Sequence, residues 1–299
     1  MFSQAIPSIS IAIPVYNDPA GVQTTIESLL DQTQHLSKVE IIIIDNNSTD
    51  NTYNIAKQYA DEHDNITVVR ETAIQSSYAA RNKGIEHATG DILVFFDADQ
   101  QVTDGWLEAA LTRLEKQDAD YLAPNIELDA GDDPTLIGQY NKTTGFPIED
   151  FLTYHRYAPT SCLIVRRELI DDVGPFDDRL ISGGDLEFGN RVDEAGYTLG
   201  FCPDSTVIHP TRNTVRALVK RNIRIGRGHC QLQHYYPARY GRVGIPPRPS
   251  DIRSKQYDDS QGRLIFTLLT LIMTATRGLG YYRECLKVWG TRLRDKLPS

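Results

Sequence analysis

From residue 8 to about residue 125, short apolar runs alternate with longer stretches whose apolar positions recur at helical spacing. In residues 8–15, Ile9, Ile11, Ile13 and Val15 share one side, which predicts a strand. Val22, Ile26, Leu29 and Leu30 then fall on one face of an amphipathic helix expected to end near residue 34. The run Val39-Glu40-Ile41-Ile42-Ile43-Ile44 predicts a second, buried strand. It exits into Asp45-Asn46-Asn47-Ser48-Thr49-Asp50, where Ser48 or Asp50 can cap a helix reaching about residue 63. Residues 66–69 predict a third strand, and residues 78–88 a helix carrying Arg81 and Asn82. Gly90-Asp91 introduces five apolar residues, 92–96, which read as a strand buried on both faces. A helix on Trp106, Leu107, Ala110, Leu111 and Leu114 and a strand at 121–123 complete the series. This order predicts an α/β fold with a doubly wound, mainly parallel central sheet flanked by helices. The polar loops at Asn17, Asp45 and Asp97 all leave strand carboxyl ends, so they converge on one edge, where ligands of such sheets bind.

The strand at 92–96 runs straight into Asp97-Ala98-Asp99. Two carboxylates there can offer hard oxygen ligands to a divalent cation that clamps a diphosphate. An isolated Asp at a strand exit can equally cap the next helix. The common phosphate fingerprints are absent: no G-x-G-x-x-G follows the first strand, and no G-x-x-x-x-G-K-[ST] occurs. That argues against a dinucleotide enzyme and a P-loop NTPase. The net charge of −9 argues against nucleic acid as the main partner. Cys162, Cys202, Cys230 and Cys285 lack metal-type or C-x-x-C spacing, so reduced thiols in a cytoplasmic protein are expected. Residues 1–10 lack the basic start and apolar core of a signal peptide. No segment reads as long and apolar enough to span a bilayer; the nearest, residues 264–276, is stopped by Arg277 and is expected to be a buried or interfacial helix.

Five motifs stand in order: Pro14-Val15-Tyr16-Asn17, Ile44-Asp45-Asn46-Asn47-Ser48-Thr49-Asp50, Ala80-Arg81-Asn82-Lys83-Gly84-Ile85, Gly90-Asp91 and Asp97-Ala98-Asp99. Together they resemble glycosyltransferase family 2, over roughly residues 8–230. The resemblance implies a GT-A fold and an inverting, metal-dependent transfer of one sugar from a nucleotide-diphosphate donor. It implies donor binding by Pro14, Tyr16, Asn17, Asp45, Asn46, Arg81, Asp97 and Ala98, with Asp45 taking a base imide N–H, Arg81 pairing with the anionic donor and Asp97 at the ribose. Asp99 would hold Mg²⁺ or Mn²⁺, with Asp97 and His209 as further ligand candidates. Many members carry two consecutive acids at the second motif, where this chain has Asp45-Asn46.

Ala130-Gly131-Asp132-Asp133-Pro134 marks a surface loop and an expected change from a donor half, about residues 1–130, to an acceptor half, about 131–230. Tyr140, Phe146, Phe151, Tyr154 and Tyr157 can line a sugar groove or fill core under a long loop. In Ser182-Gly183-Gly184-Asp185, Asp185 opens a helix, and a carboxylate at a helix N-terminus has its charged form stabilised. The family usually reads Glu-Asp here; Gly184 replaces the Glu and Asp185 matches the catalytic base, with Glu187 a second candidate. Arg212, Arg216, Lys220 and Arg224 recur every four residues, a basic stripe that is either a solvated face or a contact for a lipid diphosphate or anionic membrane. Residues 231–299 are expected to form a C-terminal helical extension. The acceptor is expected to be a saccharide or a lipid-linked glycan of cell-surface biosynthesis, with the enzyme cytoplasmic at the inner membrane face. Two other readings compete: a catalytically silent glycosyltransferase-like scaffold, and a sugar nucleotidyltransferase, whose Gly-rich N-terminal loop is missing.

Overall fold

The computed structural model describes residues 7–33, 36, 38–247 and 260–294, without the side chains of 260–263 and 291–294. Its elements run β1 (Ile9–Val15), α1 (Pro19–Thr33), β2 (Val39–Asp45), α2 (Thr52–Glu62), β3 (Ile66–Arg70), α3 (Ser77–His87) and β4 (Ile92–Phe96). There follow β5 (Gln101–Val102), α4 (Trp106–Lys116), β6 (Tyr121–Asp129), α5 (Leu136–Thr144), α6 (Ile148–His155), β7 (Cys162–Arg166) and α7 (Arg167–Val173). The last are α8 (Gly184–Glu194), β8 (Leu199–Pro210), α9 (Val215–Tyr235), α10 (Pro237–Tyr240) and α11 (Ser260–Arg294).

The chain divides into two units. The first holds residues 1–128, 146–178 and 184–210; the second holds 129–145, 179–183 and 211–299. Residues 211–230, expected in the acceptor half, fall in the second unit, where α9 pairs with α11.

The first unit is built on an eight-stranded sheet in the order β3-β2-β1-β4-β7-β6-β8-β5. β3, β2, β1 and β4 are parallel, and the apolar runs of β2, β1 and β4 are buried on both faces, with Ile11, Ile43 and Val94 enclosed on one and Ala12, Ile44 and Leu93 on the other. Parallel strands need helical crossovers on both faces, which is why these runs show little alternation. The expected mainly parallel sheet becomes mixed where β7 enters between β4 and β6, antiparallel to both. β5 escapes a sequence reading because it is two residues long and pairs antiparallel to β8. Its register, Gln101 opposite Ile208 and Val102 opposite Val207, brings the loop after β4 alongside the end of β8.

In the second unit α9 and α11 pack along one another. Cβ atoms added at Gly226 or Gly280 would fall 1.9 Å from the Arg277 carbonyl oxygen and 2.2 Å from that of Ile223. Only glycine permits so close an approach. Asn222 Oδ1 accepts from Arg277 Nη2 at 2.9 Å, and Arg227 pairs with Glu284 at 2.8 Å. α11 continues through Arg277, and residues Leu264–Gly290 are long and apolar enough to cross a membrane by length and composition. This corrects the expectation that Arg277 ends the apolar segment: its charge is met by Asn222 within the helix pair.

Burial, with the charge of Arg277 nearby, pushes the pKa of His229 in α9 down from 6.5 to about 4. The folded state then prefers the neutral ring, and the unfolded state binds the extra proton between those values. The stabilisation is fully present above pH 6.5 and lost as pH falls to about 4, an upper value of about 3 kcal/mol. Denaturant unfolding near pH 7 and near pH 4.5 should show a smaller acid loss for His229→Leu than for wild type.

Candidate active site

The loop after β4 carries Asp97-Ala98-Asp99 at the carboxyl edge of the parallel strands. The Asp97 backbone N–H donates to the Ser161 carbonyl at 3.1 Å, fixing this loop against the start of β7. Asp97 Oδ1 accepts from Arg81 Nη2 at 2.5 Å. Arg81 is almost fully buried, and a buried guanidinium requires charge and hydrogen-bond partners. It finds them in Asp97 and the carbonyls of Ser77 and Thr160. Arg81, expected at the anionic donor, pairs with Asp97, which was expected at the ribose and among the metal ligands and whose side chain stays 35% exposed. Burial pushes the Cys162 thiol well up, with the charge of Asp97 adding to it, so this cysteine is no nucleophile.

Asp99 behaves differently. Its side chain is 38% exposed, whereas that of His209 at the end of β8 is 6% exposed. His209 Nδ1 lies 2.8 Å from the Pro210 carbonyl oxygen, which can only accept, so Nδ1 donates and Nε2 is the ring nitrogen left to bind a cation when the ring is neutral. Nε2 is 3.9 Å from Asp99 Oδ1, too far for a hydrogen bond. Two ligand bonds of about 2.1 Å to one cation span that distance. The β5–β8 register is what brings the two together: with Gln101 opposite Ile208, the next step sets Gln100 opposite His209. Among the described residues no three His, Cys, Asp or Glu side chains surround a single point. A two-residue protein ligand set completed by substrate phosphates is the usual arrangement for Mg²⁺-type ions.

Asp45 ends β2 fully buried. Its Oδ1 accepts from Ser48 N–H and its Oδ2 from Arg70 Nε at 3.0 Å. Its carboxylate is therefore covered, and the exposed group above it is Arg70, which lies 4.8 Å from the centre of the Tyr53 ring. Arg70 was missed in the sequence. The signal lay in the parallel register, where Asp45 and Arg70 sit opposite each other at adjoining strand ends. Asn17, in the left-handed region at φ 49°, accepts from Thr49 N–H and donates its own N–H to Ser48, tying the β1 loop to the β2 loop. Asn46 is buried and donates its backbone N–H to Val15, while its Oδ1 has no partner. Pro14 is half-buried, Ala98 is buried and Tyr16 is exposed.

Asp185 stands in the first turn of α8 and its Oδ1 accepts from Leu186 N–H at 3.0 Å. Gly183 before it has φ +84°, a conformation glycine adopts freely. A Cβ on Gly184 would come within 2.7 Å of the Tyr78 ring. With Tyr78 in this position a side chain at 184, such as the Glu of the family pattern, would clash; Tyr78 is a second residue that sequence reasoning overlooked. Tyr78 also lies 5.8 Å below the Arg81 guanidinium, so contacts run from Asp97 through Arg81 and Tyr78 to the start of α8. Glu187 is buried in a two-bond pair with Arg191, which also donates to the Gly174 and Pro175 carbonyls. Both carboxylate oxygens of Glu187, the second candidate base, accept from Arg191. Of the expected aromatic groove, Phe146 lies 5.9 Å from the His209 ring, Phe151 stacks on Tyr157, and Tyr154 is exposed.

The profile described as "Glycosyl transferase family 2" matches residues 10–174. The glycosyltransferase AglE of Haloferax volcanii is 35% identical over 77% of this chain and 75% of its own length. A pre-mycofactocin glycosyltransferase of Mycobacterium tuberculosis is 27% identical over 77% of this chain but 48% of its own length. Among solved structures, the mannosyltransferase PcManGT from Pyrobaculum calidifontis, in complex with GDP-Man and Mn²⁺, covers 98% of this chain and 81% of that chain with a TM-score of 0.60 at 19% identity. S. aureus TarS covers 78% and 73% with a TM-score of 0.55 at 18% identity. Both are similar in fold.

Proposed function

Because the chain belongs to glycosyl transferase family 2, we propose that it moves a single sugar, with inversion, from a nucleotide-diphosphate sugar to a saccharide or lipid-linked acceptor. The observation that carries this reading is the pairing of a partly exposed Asp99 with Nε2 of His209, beside an Asp97 clamped by Arg81. Asp99 and His209 would hold Mg²⁺ or Mn²⁺, which when bound offsets the charge developing on the leaving diphosphate. The GDP-Man and Mn²⁺ complex of the fold neighbour supports a nucleotide sugar and a divalent ion.

Asp185 takes the proton of the acceptor hydroxyl, whose oxygen then attacks the anomeric carbon opposite the diphosphate. One displacement inverts configuration and needs no covalent intermediate. Asp97, held by Arg81, orients the donor at the ribose. Arg70 over Tyr53, with exposed Tyr16, offers the nucleoside a cationic and aromatic surface where the buried Asp45 does not reach. A relative named as an O-antigen biosynthesis protein, from Myxococcus xanthus, supports a role in cell-surface glycan synthesis. A lipid-linked acceptor of this kind would be met at the cytoplasmic face of a membrane.

Thermal unfolding with UDP-, GDP- and dTDP-sugars, each with and without Mn²⁺, tests the donor site. One nucleotide class should raise the midpoint by about 5 °C or more at a hundredfold excess over Kd, only with the metal. A folded protein that responds to none of them would contradict the reading.

A further inference from the structure

α11 has two faces of opposite character. Phe266, Leu269, Met273, Tyr281 and Cys285 are buried within the second unit. About half a turn away, Leu264, Leu268, Leu271, Leu279 and Leu286 are 74, 57, 62, 64 and 67% exposed. No charged residue is among the exposed positions from 264 to 282. A contiguous apolar strip along about 30 Å of helix is far more than the scattered leucines of an ordinary surface.

We propose that this face of α11 lies in the surface of an anionic phospholipid membrane, parallel to its plane. Charge chooses the occupant. In a protein of net charge −9, the helix from residue 264 to 294 carries Arg277, Arg283, Lys287, Arg292 and Arg294 against a single acid, Glu284. Glu284 is itself buried and paired with Arg227 and Lys287. An apolar strip on a helix with this excess of cations suits an anionic lipid surface and opposes the same face of a second copy. Exposed Trp289 and Tyr282 have the amphipathic rings that settle at headgroup level. The helix lies in the plane because its other side carries polar contacts to α9, among them Arg277 with Asn222 and Arg227 with Glu284. A crossing helix would take those groups into hydrocarbon.

The basic stripe of α9 is separate from this surface. Leu218, Asn222, Gly226 and Cys230 are among the buried positions of α9, and Asn222, Gly226 and Cys230 make contacts to α11. Arg216, Lys220 and Arg224 precede Leu218, Asn222 and Gly226 by two residues each, about 200° round the helix. They point away from α11, and Arg212 lies before α9 begins.

Flotation of the full chain with vesicles of phosphatidylcholine alone, or of phosphatidylcholine with phosphatidylglycerol, tests the proposal. Wild type should float with the anionic vesicles, and less so at high salt. The triple variant Leu268→Glu, Leu271→Glu, Leu279→Glu should lose more than about tenfold in partitioning. Its circular dichroism and sedimentation coefficient should be those of a folded monomer. The triple variant Arg216→Glu, Lys220→Glu, Arg224→Glu should float as wild type does. In wild type, brominated anionic lipid should quench tryptophan fluorescence through Trp289, since Trp106 is fully buried. Wild type that stays unbound, or a leucine variant that floats equally, would overturn the inference. So would flotation lost only in the basic variant, a wild-type dimer that the leucine variant dissolves without any lipid binding, or retention in membranes after alkaline carbonate extraction.

Discussion

Asp185→Asn is expected to lower kcat about 10²–10⁴-fold, while donor affinity measured by titration stays within about twofold. That loss corresponds to about 2.7–5.5 kcal/mol of transition-state stabilisation. An amide has the size of the carboxylate but cannot accept the acceptor's proton. Asn is also as good as Asp at a helix start, and its Oδ1 can still accept from Leu186 N–H as Asp185 does. The thermal midpoint should therefore hardly move. If Asp185 merely begins α8, the variant keeps its rate; steady-state kinetics beside a thermal scan separates the two cases.

The second large effect is expected at Asp99. Asp99→Ala should lower kcat/KM by about 10³-fold and abolish the metal-dependent part of the donor-induced thermal shift. The side chain is 38% exposed, and substitutions at such positions change folding stability by about 0.5 kcal/mol or less. A folded variant that has lost its response to Mn²⁺ would identify Asp99 as a ligand. An unaltered response would move the cation away from the Asp99–His209 pair.

Much of the first unit was legible because parallel strands buried on both sides write themselves as unbroken apolar runs. Residues 92–96 match β4 without adjustment, and the expected strands at 39–44 and 66–69 each gain one residue in β2 and β3. What could not be read depends on pairing across the chain. The two residues of β5 have no pattern of their own, yet their register with β8 is what sets His209 beside Asp99. The same holds for polar partners. Arg81 is separated from Asp97 by 16 positions and Arg70 from Asp45 by 25, and only folding shows that each cation is held by a carboxylate. At α11 the charge of Arg277 seemed to end an apolar segment, because Asn222 lies 55 positions away.

The mechanism proposed for this site is a single displacement with Asp185 as base. It is tested most directly by following the anomeric proton of the sugar released when water takes the acceptor's place. The experiment uses one-dimensional NMR at early times, before mutarotation, with wild type and Asp185→Asn. The first sugar freed should have the anomeric configuration opposite to the donor's, and Asp185→Asn should release it far more slowly. A first product that keeps the donor's configuration would show two displacements and contradict the mechanism.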